Sequence, residues 1–390
     1  MSNAEFDVVI YGATGFTGRL VAEYLASEYG KDIAWAMAGR SEDKLKRVRD
    51  EIGAPDDTPL VVADASDPAS LKAMADRTRA VITTVGPYQL YGEALVKACV
   101  EAGTDYVDLS GEPAWMHDII ATYSDKAKAS GARIVHSCGF DSVPFDLGVY
   151  FLQQHVTDKA GKPLSRIKGR VRAMKGTFSG GTAASFAETM KRAAKEPQII
   201  DWLKDPFSLC EDFEGPKQPH GAKVIYEDDL GAWSAPFVMA TINTKNVHRS
   251  NALMDHAYGE DFVYDEMFLT GPGEKGEQFA HAIANDRSMQ DNPPKPGEGP
   301  SREERETGFY DVMFTGETAD GQRFTASVKG DKDPGYGSTS KMITECALSL
   351  VKDVSRDETP GGVYTTAPAL GDALIKRLTD HAGLTFTIEE

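Results

Sequence analysis

The stretch Gly12-Ala13-Thr14-Gly15-Phe16-Thr17-Gly18 constrains this chain more than any other. It follows directly on the apolar run Asp7 to Tyr11 and leads directly into a segment with Leu20, Val21, Tyr24 and Leu25 on one helical face. Glycines in such a turn permit a close backbone approach. The following helix then offers unpaired N–H groups and the positive end of its dipole to an anion. This is the context of a dinucleotide pyrophosphate cradle, with a merely structural strand-to-helix turn as the bland alternative. Gly12, Thr14, Gly15, Phe16, Thr17 and Gly18 are therefore candidate cofactor contacts.

The alternation continues. Strand runs read at Asp7 to Tyr11, Ile33 to Ala38, Leu60 to Ala63, Ala80 to Val85, Tyr106 to Leu109 and Arg133 to Ser137, with helical patterns between them. Gly103 and Gly131 stand where helix C-caps belong. Six such units predict an α/β fold, a Rossmann-type doubly wound parallel sheet, over residues 5–155. From about residue 156 the pattern changes to longer strands and loops, which predicts a second, α+β domain over 156–335 for substrate binding or dimerisation. In it, Ser165 to Met174 reads as a strand and Thr182 to Ala194 as a helix. Gly271 to Thr307, with Pro293, Pro294, Pro296 and Pro300, reads as loop, and Asp320-Gly321 as a hairpin turn. Helices are expected near Ser338 to Lys352 and Ala369 to His381.

The second strand ends in Arg40-Ser41, where an NAD-specific fold carries an acid for the ribose 2′-hydroxyl. A guanidinium there offers paired donors to a 2′-phosphate, Ser41 adds a hydroxyl, and Lys44 lies one turn on, so NADP is expected. The plainer reading is a solvated Arg40 beside an N-capping Ser41. Asp64 can accept from the adenine amino group or serve as a turn residue. The 42 basic and 60 acidic residues give a net charge of −18, which argues against nucleic acid as a partner. Four scattered cysteines indicate neither a disulfide framework nor a zinc site, and a reducing cytoplasm is the simplest home. No apolar run approaches the roughly 20 residues of a membrane span, which leaves only peripheral membrane contact.

Further segments are Val85-Gly86-Pro87-Tyr88-Gln89-Leu90-Tyr91-Gly92, Tyr106 to Glu112, Ser137-Cys138-Gly139-Phe140-Asp141-Ser142-Val143-Pro144, Ser179-Gly180-Gly181-Thr182, Lys329 to Gly337 and Gly361 to Tyr364. With the glycine loop, they resemble the saccharopine dehydrogenase-like oxidoreductases, and more closely the branch of the trans-acting enoyl reductases of bacterial lipid and polyketide synthesis. The resemblance spans most of the chain and is weakest from about residue 195 to 305. It implies an NADP-binding Rossmann domain, a second domain facing it, and C-terminal helices, within 336–390, that return to the first.

Open parallel sheets bind ligands beyond the carboxyl ends of their strands, which makes Gly86, Pro87 and Gly139 further candidate contacts. Reduction of a conjugated double bond needs hydride at the β carbon, a stabilised enolate and a proton at the α carbon. Tyr88 and Tyr91 are the candidate catalytic donors, with aromatic packing as their alternative role. Backbone N–H groups at Gly180-Gly181-Thr182 are candidates for holding an oxyanion. Cys138 reads as an inert buried thiol, Asp141 and Asp146 as cap or dipole partners, and His136 as a core histidine. No histidine has metal-ligand spacing, and no metal is expected. The leading expectation is an NADPH-dependent reductase of an α,β-unsaturated acyl or polyketide chain, small or carrier-bound. An amino-acid-type dehydrogenase, which needs fixed cations for carboxylates, and a non-catalytic NADP-binding partner of lipid or protein are the alternatives.

One basic stretch interrupts the acidic chain. Arg166, Lys168, Arg170 and Arg172 alternate with Ile167, Gly169, Val171 and Ala173, so a strand would set all four cations on one face. That face is expected to lie outside the core, either paired with acids of the same protein or used as a docking strip for an acyl carrier or an anionic lipid surface.

Overall fold

The computed structural model describes residues 4–176, 180–291 and 298–389. The chain begins β1 (Phe6–Tyr11), α1 (Phe16–Glu28), β2 (Trp35–Gly39), α2 (Glu42–Glu51), β3 (Leu60–Val62), α3 (Pro68–Ala75) and β4 (Thr78–Thr83). It continues α4 (Tyr88–Tyr91), α5 (Glu93–Ala102), β5 (Asp105–Val107), α6 (Pro113–Ser130), β6 (Arg133–Val135) and α7 (Val143–Ala160). The next elements are β7 (Arg166–Lys175), α8 (Gly180–Ala193), α9 (Gln198–Lys204), β8 (Ile225–Glu227), β9 (Ala232–Pro236), α10 (Ala240–Leu253) and β10 (Val263–Gly271). Then come α11 (Gly273–Ala284), α12 (Ser288–Asp291), α13 (Arg302–Thr307), β11 (Phe309–Glu317), β12 (Arg323–Gly330), α14 (Thr339–Lys352), β13 (Gly362–Tyr364), α15 (Thr366–His381) and β14 (Leu384–Glu389).

The short apolar runs become buried parallel strands. Val8, Val9 and Ile10 of β1 are fully buried, as strands covered on both faces must be. The first sheet has the order β13-β6-β5-β4-β1-β2-β3, all parallel, with the reversal between β1 and β4. Local signals set the helices between them. Ser41 caps α2, Asp67 and Pro68 open α3, and Gly103 and Gly131 end α5 and α6 in the left-handed region. The seventh strand, β13, comes from near the end of the chain.

The second sheet has the order β14-β12-β11-β7-β10-β9-β8 and is mixed, with β7 and β10 parallel and the other pairs antiparallel. α7 joins the two sheets. Its Phe145 packs against Phe140, Phe237 and Phe314, and a Cβ on Gly148 would stand 2.2 Å from the Phe314 ring, so helix and sheet meet without a gap. One buried apolar cluster therefore runs from β1 through α7 to β7, β11 and β12.

The stretch from Gly271 to Thr307 is not the loop expected. It contains α11, α12 and α13, and the prolines Pro293, Pro294 and Pro296 lie outside the described residues. Its glycines disguised a helix. A Cβ on Gly276 would stand 2.0 Å from the Gly271 carbonyl oxygen, so this glycine allows α11 to fold back closely on β10, with Ala280 buried. The C-terminal segment also divides, with β13 joining the first sheet and β14 the second.

Candidate active site

The phosphate loop holds a shape that side chains would prevent. Gly12 has φ 92°, and a Cβ there would stand 2.7 Å from Val85; a Cβ on Gly18 would stand 2.2 Å from the Gly12 carbonyl oxygen. α1 then begins at Phe16 with no side-chain cap and no acid in its first turn. Thr14 and Gly15 are exposed beside this helix end, with Thr17 half-buried; the Gly15 N–H closes the turn onto the Gly12 carbonyl at 2.9 Å, and the first turn of α1 opens beyond it. Residues before β11 and after β12 close over the loop. The Arg305 guanidinium lies 5.6 Å above the Phe16 ring, and Tyr336 meets the same ring edge-on at 4.7 Å.

The carboxyl ends of β2 and β3 form the next corner. Arg40 is exposed and makes no ion pair with the described residues, while the field of its charge reaches Asp64. Asp64 is held below its ordinary range by the Ser66 N–H and hydroxyl, each at 2.8 Å. Ser41 accepts the Lys44 N–H at 3.4 Å, so its hydroxyl caps α2, and Lys44 is exposed. Arg40 is thus a cation at the end of β2 with no ion pair among the described residues.

At the end of β4, Gly86 and Pro87 lead into α4. Tyr88 is not available as the proton donor the sequence suggested. Its hydroxyl donates to the Thr83 carbonyl at 3.1 Å and accepts the Leu109 N–H at 3.0 Å, and its ring packs on Trp115. Burial pushes this phenol far above its ordinary pKa, so Tyr88 is a brace between two strand ends. Tyr91 is about half exposed, with Leu90 beside it. Glu112, unremarked in the sequence, receives the N–H groups of Tyr88 and Gln89 at 2.8 and 2.9 Å and the Ser185 hydroxyl at 2.7 Å. Burial raises its carboxyl above the usual range despite these bonds. Gln89 Nε2 also donates to Thr189 Oγ1 at 3.0 Å, which ties α8 to α4. α8 starts at Gly180, two residues before the expected Thr182, and Ser179 lies outside the described residues.

The turn after β6 is the most polar part of the site. Asp108 receives the Ser110 and Ser137 N–H groups and pairs with His136 Nδ1 at 2.7 Å, which makes His136 the core histidine expected. Cys138 is buried and its thiol is pushed far up by burial. Gly139 is held between Leu109 and Thr339, where a Cβ would stand 2.8 and 2.9 Å away. Asp146 accepts from the Thr366 hydroxyl and the Ala367 N–H, so it caps α15 rather than its own helix.

Asp141 differs from these. It is partly exposed and desolvation pushes its carboxyl up to about 7. The next residue, Ser142, donates to Asn243 Oδ1 at 2.7 Å, and Asn243 Nδ2 donates to Glu266 Oε2 at 2.8 Å. Glu266, on β10, also accepts from Tyr264 at 2.9 Å, and burial lifts it to about 8. Sequence reasoning missed Glu266 because one partner is its own strand neighbour Tyr264 and the other, Asn243, lies on α10, 23 residues earlier. The only trace is the small Gly169 opposite it, where a Cβ would crowd Tyr264 at 2.7 Å.

The basic strip forms strand β7 but no docking surface. Lys168 reaches Glu227 and Asp229, Arg170 reaches Glu227 and Asp265, Arg172 reaches Asp311 and Glu389, and Arg166 pairs with Asp265. Arg170 is 1% exposed, so part of this face is interior, with each charge neutralised by the neighbouring strands.

Residues 8–135 match the family model of the saccharopine dehydrogenase NADP binding domain. A Mycobacterium tuberculosis protein provisionally named a trans-acting enoyl reductase is 42% identical over 401 residues, covering 96% of this chain and 95% of its own. The trans-acting enoyl reductase of Mycobacterium ulcerans is 38% identical over 412 residues, covering 97% of each chain. Among solved structures, apo saccharopine dehydrogenase (L-Glu forming) from Saccharomyces cerevisiae superposes with a TM-score of 0.54 at 13% identity, covering 99% of this chain and 100% of the other. That likeness extends to the fold. No helix among the described residues is long and apolar enough to cross a membrane.

Proposed function

The chain belongs to the saccharopine dehydrogenase-like oxidoreductases, in the branch of the trans-acting enoyl reductases, and on that premise we propose that it reduces the α,β double bond of an acyl or polyketide thioester with NADPH. The observation that carries this reading is the full-length similarity to proteins named trans-acting enoyl reductases, because it extends through the second sheet and not only the nucleotide-binding half.

The residues present fit the cofactor. Gly12, Gly15 and Gly18 keep the cradle open, the N-terminus of α1 faces the pyrophosphate, and Arg40 takes the 2′-phosphate with Lys44 one turn away. Asp64 serves the adenine side, Gly86 and Pro87 stand beyond β4 where the strand order reverses, and the buried Gly139 shapes the turn after β6. NADPH, when bound there, supplies the hydride for the β carbon.

The rest falls to the protein. Leu90 and Tyr91 of α4 and Phe186 and Met190 of α8 are exposed apolar side chains on two helices joined through Gln89, and they form a lip suited to an acyl chain. The Gly180-Gly181-Thr182 backbone at the start of α8 is our candidate for holding the enolate oxygen. An amino-acid-type dehydrogenase would need free cations in the second sheet, and the four on β7 are bound to acids. We place the enzyme in the cytoplasm, receiving its substrate from an acyl carrier on a face other than β7. The test is loss of NADPH absorbance on addition of a 2-enoyl thioester, free or carrier-bound. No loss with either form, together with tight NADPH binding, favours a non-catalytic NADP protein instead.

A further inference from the structure

A hydrogen-bonded chain crosses from the carboxyl end of β6 to the second sheet. Asn246 Nδ2 donates to Ser142 Oγ at 2.8 Å, Ser142 to Asn243 at 2.7 Å, and Asn243 to Glu266 at 2.8 Å. Two buried oxygens receive no donor, Asn246 Oδ1 on this chain, with Asn246 1% exposed, and Oδ1 of Asp141, the residue before Ser142. Interiors satisfy their polar atoms, so two buried unpaired acceptors beside a half-buried acid mark a place kept for a ligand group.

We propose that Asp141, as a neutral carboxylic acid, is the catalytic proton donor to the α carbon of the enoyl substrate, positioned by the Ser142–Asn243–Glu266 chain. This rests on the enoyl-reductase reading above. As hydride bonds to the β carbon, the double-bond electrons pass to the α carbon and the thioester oxygen. The Asp141 O–H bond then breaks, its proton forms the new C–H bond at the α carbon, and its electron pair stays on the carboxylate, which takes a proton back from water. The surroundings keep the acid neutral. Asp141 is desolvated and has no ion pair among the described residues, and the carboxyl of Glu266 on β10 lies near enough for the two acids to disfavour each other's charge. Asp265 is committed to Arg166 and Arg170, and Asp146 of α7 to Thr366 and Ala367.

The test is Asp141→Asn, which keeps the shape and removes the proton. Turnover should fall about a hundredfold or more, with NADPH affinity little changed and a single cooperative unfolding transition retained. Wild-type turnover should decline as pH rises through about 7, and the residual variant rate should not. Without substrate, the infrared carbonyl stretch of a neutral carboxyl below pH 7 should lose one component in the variant. Turnover within about threefold of wild type, or an unchanged infrared band, overturns the proposal. An inactive wild type defeats the enoyl-reductase reading and this step together, whereas an active wild type with an active variant defeats this step alone.

Discussion

Glu227 of β8 grips Arg170 of β7 with both oxygens, 2.6 Å to Nε and 2.9 Å to Nη2, inside a sheet face whose alternating cations suggested open solvent. Arg170 and Lys168 hold the Glu227 carboxyl down at about 2 against the opposing effect of burial.

Removing one partner should therefore be costly. Arg170→Met leaves Glu227 and Asp265 without their shared cation and should lower stability by about 3–5 kcal/mol in denaturant unfolding. It should slow free and carrier-bound substrates equally. A selective loss with carrier-bound substrate would restore the docking role.

Arg40 should decide the cofactor. A charge-assisted contact to the 2′-phosphate is worth about 1.5–3 kcal/mol, so NADPH should bind roughly ten- to a hundredfold more tightly than NADH. Arg40→Asp should reverse the order, because like charges would then face each other. Equal dissociation constants for the two cofactors in the wild type contradict the assignment.

The two tyrosines should separate. Tyr88→Phe strands the Leu109 N–H and the Thr83 carbonyl and should cost about 1–3 kcal/mol of stability, with turnover of the folded protein retained. Tyr91→Phe should leave stability unchanged. A large loss of turnover in it would make Tyr91 a participant in the chemistry.

The raised acids also set a pH dependence. Asp141 moves from 3.8 to about 7, so between those values the folded chain holds a proton the unfolded chain has released, and this group's contribution to stability falls as pH rises. Asp141→Asn removes that contribution. The melting temperature of the variant relative to wild type should climb from about pH 4 to 7 and then level off, and a flat difference contradicts the shift.

How much of this the sequence shows depends on the range of the interactions. Gly12 to Gly18 and Arg40 are read from neighbours within a turn, so the glycine turn and an exposed cation at the end of β2 were legible. Six of the seven strands of the first sheet lie within two residues of the sequence reading at either end, because most are short runs with a buried apolar centre; β13 was not read as a strand. Tyr88 misled because its position beyond a strand suits catalysis, whereas Leu109, 21 residues away, occupies its hydroxyl. The pairing of β7 with acids on β8, β10, β11 and β14 and the approach of Asn243 to Glu266 depend on the order of the second sheet, which no local pattern encodes.

The measurement that tests the central claim most directly is the mass of the product formed from NADPH and a 2-enoyl thioester in D2O. The account predicts a saturated thioester, one NADPH consumed per chain, and one solvent deuterium at the α carbon. A recovered enoyl thioester with NADPH intact, or NADPH oxidised without saturation of the chain, would contradict it.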